Sequence, residues 1–291
     1  MASLKDIRRR IGSVKNTRQT TRAMKMVAAA KLRKSQEGIL NTRPYANTIA
    51  NIVGKIASTN EIESPLFVKA DVVKKEMVIV VSSDRGLCGS FNSTISKFAF
   101  EYITKNKSQR DITVVSVGKK SADFLRRRGV NVEKTVLNLA KEISYKFALD
   151  FTEEMVKTYF DEKYDQVTVF YNEFKSAIQQ IPRAQVLLPI QPQEDLWAET
   201  ESQFSKDYIF EPSAKEIAEQ LLRKSINIQV YKNLLESLAS EHGARMNAME
   251  NATKNAGELI RKLTLSYNNA RQAAITRELI EITSGAQALN N

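Results

Sequence analysis

The chain has 291 residues, 42% of them hydrophobic and 26% charged, with a net charge of +11; it is long enough for one large domain or two smaller ones and has the composition of a folded, water-soluble protein. A single cysteine, Cys88, and a single histidine, His242, exclude an internal disulfide and a His/Cys metal cluster and make a reducing compartment the default. No apolar run approaches the ~18 residues that would span a bilayer.

The charge is concentrated at one end. Residues 1–43 hold twelve Lys and Arg against Asp6 and Glu37, so this segment carries +10 and the rest of the chain is nearly neutral. The stretch KNTRQTTRAMKMVAAAKLRK, residues 15–34, has neither Gly nor Pro nor an acid. It reads as a helix with an acidic partner. Leu4, Ile7, Ile11 and Val14 open an apolar seam along it. Arg18 and Thr21 interrupt that seam, and Ala28, Leu32, Ile39, Ile49, Val53 and Ile56 resume it. Pro44 falls inside the pattern and is expected to kink or divide the helix. An Arg-rich, acid-poor N-terminus also fits an organellar transit peptide, although the helical pattern continues past residue 34.

The middle of the chain alternates strand and helix signals. EMVIVVSS reads as a buried parallel strand. ITVVSV (112–117), QVTVFY (166–171) and AQVLLPI (184–190) follow as strands, with helices around 90–107, 118–128 and 145–163. This order predicts a doubly wound α/β domain.

After Pro212 there is no further proline. Ser213 with Glu216 offers a capping box, and a heptad series runs Ile228, Leu235, His242, Met249, Ala256, Leu263, Ala270. A companion series runs Tyr231, Leu238, Arg245, Ala252, Leu259, Ser266, Ala273. Sustained heptads indicate a coiled-coil seam. The expected architecture is therefore α/β, with N- and C-terminal long helices paired as an antiparallel coiled coil and a central doubly wound domain. The expected segments are 1–58, 75–195 and 212–288.

Chemistry is hard to find. His242 lies on the heptad seam, which favours a packed core histidine over a general base. The phosphate-loop pattern is absent, since Gly54-Lys55 and Gly118-Lys119 both lack the earlier glycine. SSDRGLCGSFN (82–92) stands where α/β domains bind phosphates, but the dinucleotide spacing fails. Its residues Asp84, Arg85, Gly86, Cys88 and Gly89 read as a docking or structural loop, with Asp84 and Arg85 pairing with each other or with a partner. No cofactor and no catalytic residue is expected.

Three separated stretches resemble one family in the same order: IRRRIGSVKNTRQTTRAMKMVAAAKLRKSQ, SSDRGLCGSFN and ARQAAITRELIEITSGAQAL. Together they are similar to the gamma subunits of rotary F-type ATP synthases, in their bacterial form. The resemblance implies a noncatalytic rotor on the cytoplasmic face of a bacterial membrane. It implies assembly with three α and three β subunits, an epsilon subunit and a c-ring, without nucleic acid and without insertion into the bilayer.

By position in the matching motifs, the resemblance places Arg271, Gln272, Thr276 and Glu278 against a β-subunit loop. Met24 would lie near an acidic β-subunit lever, with Arg245 as a coupling residue and Lys31, Arg33 and Lys34 meeting acidic β segments. Tyr208, Phe210 and Glu211 would lie near the c-ring and epsilon. Phe210 stands where relatives carry Tyr, so a hydroxyl bond there is absent. Two other readings remain: a nucleic-acid-binding coiled coil, separable by salt-sensitive duplex binding, and a nucleotide-dependent enzyme, separable by ATP turnover.

Overall fold

The computed structural model describes residues 4–58, 66–67, 70–137, 144–190 and 214–289. In chain order the elements are α1 (Leu4–Ser58), β1 (Lys75–Val81), α2 (Phe91–Asn106), β2 (Asp111–Val117), α3 (Lys119–Arg126), β3 (Val132–Val136), α4 (Tyr145–Asp161), β4 (Gln166–Phe174), β5 (Gln180–Leu188) and α5 (Ala214–Leu289). The expected Ser213–Glu216 capping box and the residues Tyr208, Phe210 and Glu211 lie outside the described residues.

The strands form one sheet in the order β3-β2-β1-β4-β5. β1 pairs in parallel with both β2 and β4, β2 pairs in parallel with β3, and β5 closes the other edge antiparallel to β4. Alternation along β1 explains why the sheet is covered twice. Val78 and Val80 point to one face, where they pack with Ile95, Ala99 and Ile103 of α2 and with Ala122 and Leu125 of α3. Met77, Ile79 and Val81 point to the other, against Met155 and Tyr159 of α4, Ile49 and Val53 of α1, and Leu222 and Ile226 of α5. Each fully buried aliphatic side chain contributes roughly 1.5–3 kcal/mol.

The short strand β3 did not announce itself in the sequence. Glu133 and Lys134 break its apolar run, and only Val132 is buried. It is an edge strand, whose outer side needs no hydrophobic pattern.

The chain divides into two compact units, residues 28–245 and residues 1–27 with 246–291. In the smaller unit the two terminal helices are antiparallel. The hydroxyls of Thr21 and Thr253 bond at 2.8 Å, Lys25 pairs with Glu250 at 3.3 Å, and the Arg18 guanidinium lies beside Gly257. Thr21 is thus buried in the seam it was expected to interrupt; its hydroxyl, paired across the helices, is satisfied there. Arg18 remains exposed.

The first heptad series holds, with Met249 and Ala256 buried and Leu263 and Ala270 half-buried in this unit. The companion series holds only at half-buried Ala252: Leu259, Ser266 and Ala273 are exposed, and Thr253, Ile260, Tyr267 and Ala274 are half-buried. The inner stripe steps by four and then three, so the partner positions lie one residue later than expected.

In the larger unit Gly38 faces the Leu235 methyls. Pro44 does not divide α1, which is continuous from Leu4 to Ser58. Proline removes one helical hydrogen bond and costs about 3 kcal/mol in a helix interior. The turns that follow bury Ile49 and Val53 in the sheet core, and that burial offsets the loss.

Gly118 follows β2 with φ +105, and a Cβ there would be driven into the Ser82 carbonyl. Gly129 has φ +76 but open space around it. Gly118→Ala is therefore expected to destabilise the chain by about 3 kcal/mol or more, and Gly129→Ala by about 1 kcal/mol. Urea denaturation of both variants measures the difference; equal losses would contradict the close approach at Ser82.

Candidate functional site

In a doubly wound sheet the ligand crevice opens beyond the carboxyl ends of the strands, where the connections leave in opposite directions. Here that point lies between β1 and β4. The neighbouring loop is tightly made: Ser83 N–H donates to Asn92 Oδ1 at 3.0 Å, and Ser83 Oγ donates to the Arg85 carbonyl at 2.6 Å. Leu87 (φ 63) and Gly89 (φ 57) both take left-handed backbone conformations. Glycine adopts this freely, whereas Leu87 is strained and stands exposed at the loop tip. Asp84 Oδ1 accepts from the Lys119 N–H at 3.2 Å, so the Asp84 carboxylate anchors the start of α3.

The crevice holds a helix. Ser240 of α5 donates to the Asn172 carbonyl of β4 at 3.0 Å. Gly243 lies so close to the β4–β5 turn that a Cβ would come within 3.1 Å of Ala177 Cα and 3.3 Å of the Phe174 ring. Ala244 packs on Cys88 and Phe91. Arg245 donates to the Gly86 carbonyl at 3.3 Å and weakly to that of Arg85 at 3.5 Å, while its other nitrogen holds Glu241 Oε1 at 2.5 Å. One face of α5, from Ser240 to Arg245, thus fastens β4, the β4–β5 turn and the loop after β1.

Burial sets the protonation states. His242 is held at about 4, first by burial and then by the nearby cations Arg245 and Lys31, so it is neutral at pH 7. Burial raises the Glu241 carboxyl, and Arg245 opposes that rise. Burial also raises the Cys88 thiol against the pull of Arg245, which leaves a packed thiol and not a reactive thiolate. Among the described residues no group of His, Cys, Asp and Glu is placed to hold a metal ion, and no described helix is long and apolar enough to cross a membrane.

The structure brings Arg245 together with Arg85, Gly86 and Cys88. Lys31, Arg33 and Lys34 lie exposed on α1, Arg33 being paired with Glu37 at 3.1 Å. In the smaller unit Met24 is half-buried, and Arg271, Gln272, Thr276 and Glu278 are all exposed on α5. Sequence reasoning missed Glu241 and the closure of the crevice. The Glu241/Arg245 spacing of four, around a mid-helix glycine, was the available signal.

A family model described as ATP synthase matches residues 3–289. The ATP synthase gamma chain of Bdellovibrio bacteriovorus is 49% identical over 293 residues, covering 99% of each chain, and that of Geobacter sp. is 48% identical over 291 residues, again 99% of each. The chain belongs to the ATP synthase gamma-chain family. Among solved structures, a chain of the central stalk and c-ring of the Tetrahymena thermophila mitochondrial ATP synthase is 27% identical, with a TM-score of 0.60 over 80% of this chain and 99% of that one. A chain of the Euglena gracilis mitochondrial ATP synthase shares the fold, with a TM-score of 0.68 at 21% identity over 98% and 94% of the two chains. The chain thus has the gamma-chain fold, two long terminal helices and a central doubly wound domain, and its α5 fills the crevice of that domain.

The buried histidine gives a pH test. The unfolded chain protonates this imidazole below about pH 6.5 and the folded chain only near pH 4. Acidification through that window therefore favours unfolding, by up to about 3 kcal/mol. Glu241, with its raised carboxyl, binds its proton earlier in the folded chain and works in the opposite direction. His242→Gln is expected to lose less stability than the parent between pH 7 and pH 4.5. Denaturation midpoints across that range check it, and parallel losses would contradict the burial of a neutral imidazole.

Proposed function

We propose that this gamma chain is the central rotor of a proton-translocating ATP synthase, noncatalytic itself. On this reading it works at the cytoplasmic face of a bacterial membrane with three α and three β subunits, an epsilon subunit and a c-ring. Residues 1–58 and 212–288 serve as the rotor helices, and 75–195 as the body beside the c-ring.

The observation that carries this reading is the apolar surface exposed along the last turns of α5. The antiparallel register set by Thr21–Thr253 and Lys25–Glu250 brings Leu4 opposite about residue 270, because both helices rise equally per residue. Beyond that point α5 has no partner helix among the described residues, yet it exposes Ile275, Leu279, Ile280 and Ile282. An exposed apolar stretch of this kind marks an interaction surface, and a surrounding ring of subunits would cover it. Arg271, Gln272, Thr276 and Glu278 share this end, which supports their role as β-subunit contacts.

The basic surface fits the same mechanism. Lys31, Arg33 and Lys34 are exposed, and exposed ion pairs are worth only ~0.2–1 kcal/mol each. Successive acidic partners are thus attracted without being trapped. Each orientation of an asymmetric rotor favours one conformation of each β subunit, which couples c-ring rotation to the catalytic sites. Met24 and Arg245 are assigned to the same β-subunit contacts, the Asp84–Gly89 loop to docking, and Tyr208, Phe210 and Glu211 to the c-ring and epsilon.

With all three of Lys31, Arg33 and Lys34 changed to Glu, the complex is expected to assemble and hydrolyse ATP while pumping fewer protons per ATP, and high salt should reduce the defect. Proton pumping in inverted vesicles, normalised to hydrolysis over a salt series, is the measurement; a ratio unchanged at low salt would return these residues to a solvated face. The isolated chain is expected to hydrolyse no ATP, because α5 stands where a nucleotide would bind. Turnover by the purified chain, abolished by a change in the Asp84–Gly89 loop, would favour the enzyme reading instead.

A further inference from the structure

In the larger unit, polar side chains tie α5 to the last two strands of the sheet. Gln185 of β5 donates to Gln229 at 3.1 Å and accepts from Asn233 at 3.0 Å. Two turns beyond Asn233, Ser240 donates to the Asn172 carbonyl of β4 at 3.0 Å. Glu236 lies between these anchors, one turn from each, and is only 4% exposed.

Glu236 differs from the other buried carboxyls. Glu76 is held by Tyr102, Arg110, Gln166 and Thr168, and Glu241 by Arg245. Glu236 Oε2, by contrast, is buried with no hydrogen-bond partner among the described residues. Charged and titratable groups reach it from each side: Tyr171 and Glu173 of β4, Lys175 of the β4–β5 turn, Arg43 of α1, and Lys232 of α5 itself. Glu173 is already engaged, by Lys175 at 2.7 Å and Arg183 at 2.9 Å. Burial raises the Glu236 carboxyl, Lys232 opposes that rise, and Glu173 adds to it.

An ionised carboxylate in this place leaves a charged oxygen buried without a bond, which is costly. The neutral acid avoids that cost. Once ionised, the side chain gains most by turning toward water, where half-buried Lys232 lies four residues back on the same helix face and Arg43 of α1 stands exposed. We propose that Glu236 is a proton-operated latch between α5 and the sheet. Neutral, it stays folded in against β4; ionised, it releases its proton to bulk water, turns outward to Lys232 and Arg43, and loosens α5 between Asn233 and Ser240. The hold is complete below the ordinary carboxylate value of 4.5 and is lost as the pH rises through the raised value. The latch therefore tightens on acidification, opposite in sign to the buried His242.

The latch needs only the larger unit and stands apart from the rotor reading. Its test is hydrogen–deuterium exchange of the full chain over a pH series from the acid to the alkaline side of neutrality. Mass spectrometry reads peptides covering residues 229–240 and 166–174, corrected for the intrinsic exchange rate at each pH. In the parent chain, exchange in these segments is expected to rise about tenfold toward alkaline pH. Glu236→Gln keeps the neutral shape and is expected to hold the slow, low-pH rate throughout. Glu241 is present in both chains, so the difference between them belongs to Glu236. With Lys232 and Arg43 both changed to Gln, the outward position loses its partners, and the rise is expected to move upward by about half a pH unit. That second variant leaves the buried site intact and reports on the latch even where Glu236→Gln does not fold. A flat corrected profile in the parent, the same rise in Glu236→Gln, or a rise unmoved by the loss of Lys232 and Arg43 would overturn the proposal.

Discussion

The close passage of α5 across the carboxyl edge of the sheet is the contact on which the larger unit turns. It works only because Gly243 has no side chain at the point where the helix meets Ala177 and Phe174. On either side of that glycine, Ser240 fastens β4 and Arg245 fastens the loop after β1. A doubly wound sheet normally leaves this edge open for a ligand. Here a helix of the same chain occupies it, so the fold has given up its usual binding place in exchange for attachment. The sheet and the Ser240–Arg245 stretch of α5 are fastened together at a site where most relatives of the architecture do chemistry.

The opposite edge of the sheet is secured by different means. Glu76, fully buried at the start of β1, accepts from Tyr102 at 2.9 Å, Arg110 at 2.9 Å, Gln166 at 3.1 Å and Thr168 at 2.6 Å. These donors come from α2, the turn before β2, and β4. A buried carboxylate is costly without partners, and with four of them it fixes one arrangement of the elements around it. Its net contribution to stability is small compared with the apolar layers. What it adds is registry, matching at the amino ends of the strands what Arg245 does at the carboxyl ends.

Much of this was legible in the sequence, and the exceptions have physical causes. Continuous apolar runs marked β1, β2 and β4, because strands covered on both faces carry no polar alternation. The stripe through Ile228, Leu235, His242, Met249 and Ala256 was readable because burial selects one residue per heptad. Its companion was misplaced by one position, since spacings of three and four are equally compatible with a heptad and the Ala-rich sequence offers little contrast between them. Thr21 looked like an interruption only because a lone threonine does not reveal the second hydroxyl, Thr253, that would face it. Pro44 suggested a break, yet the sheet holds the helix through it. The loop at 82–92 was recognised as special, but its real partner lies 160 residues away in Arg245. No local pattern contains that pairing; only the i,i+4 spacing of Glu241 and Arg245 around a glycine hinted at it.

The order in which these parts leave the ribosome has its own consequence. One face of the sheet is finished early, since α2 and α3 lie between the strands they cover. The other face waits for Leu222 and Ile226, which are synthesised after the last strand. At roughly 5–20 residues per second, the nascent body carries an apolar face covered only in part, by α1 and α4, and an open crevice beside it, for several seconds before α5 arrives. A holding chaperone would find its binding surface there, and would be displaced by the same helix that later joins the body to the rest of the chain.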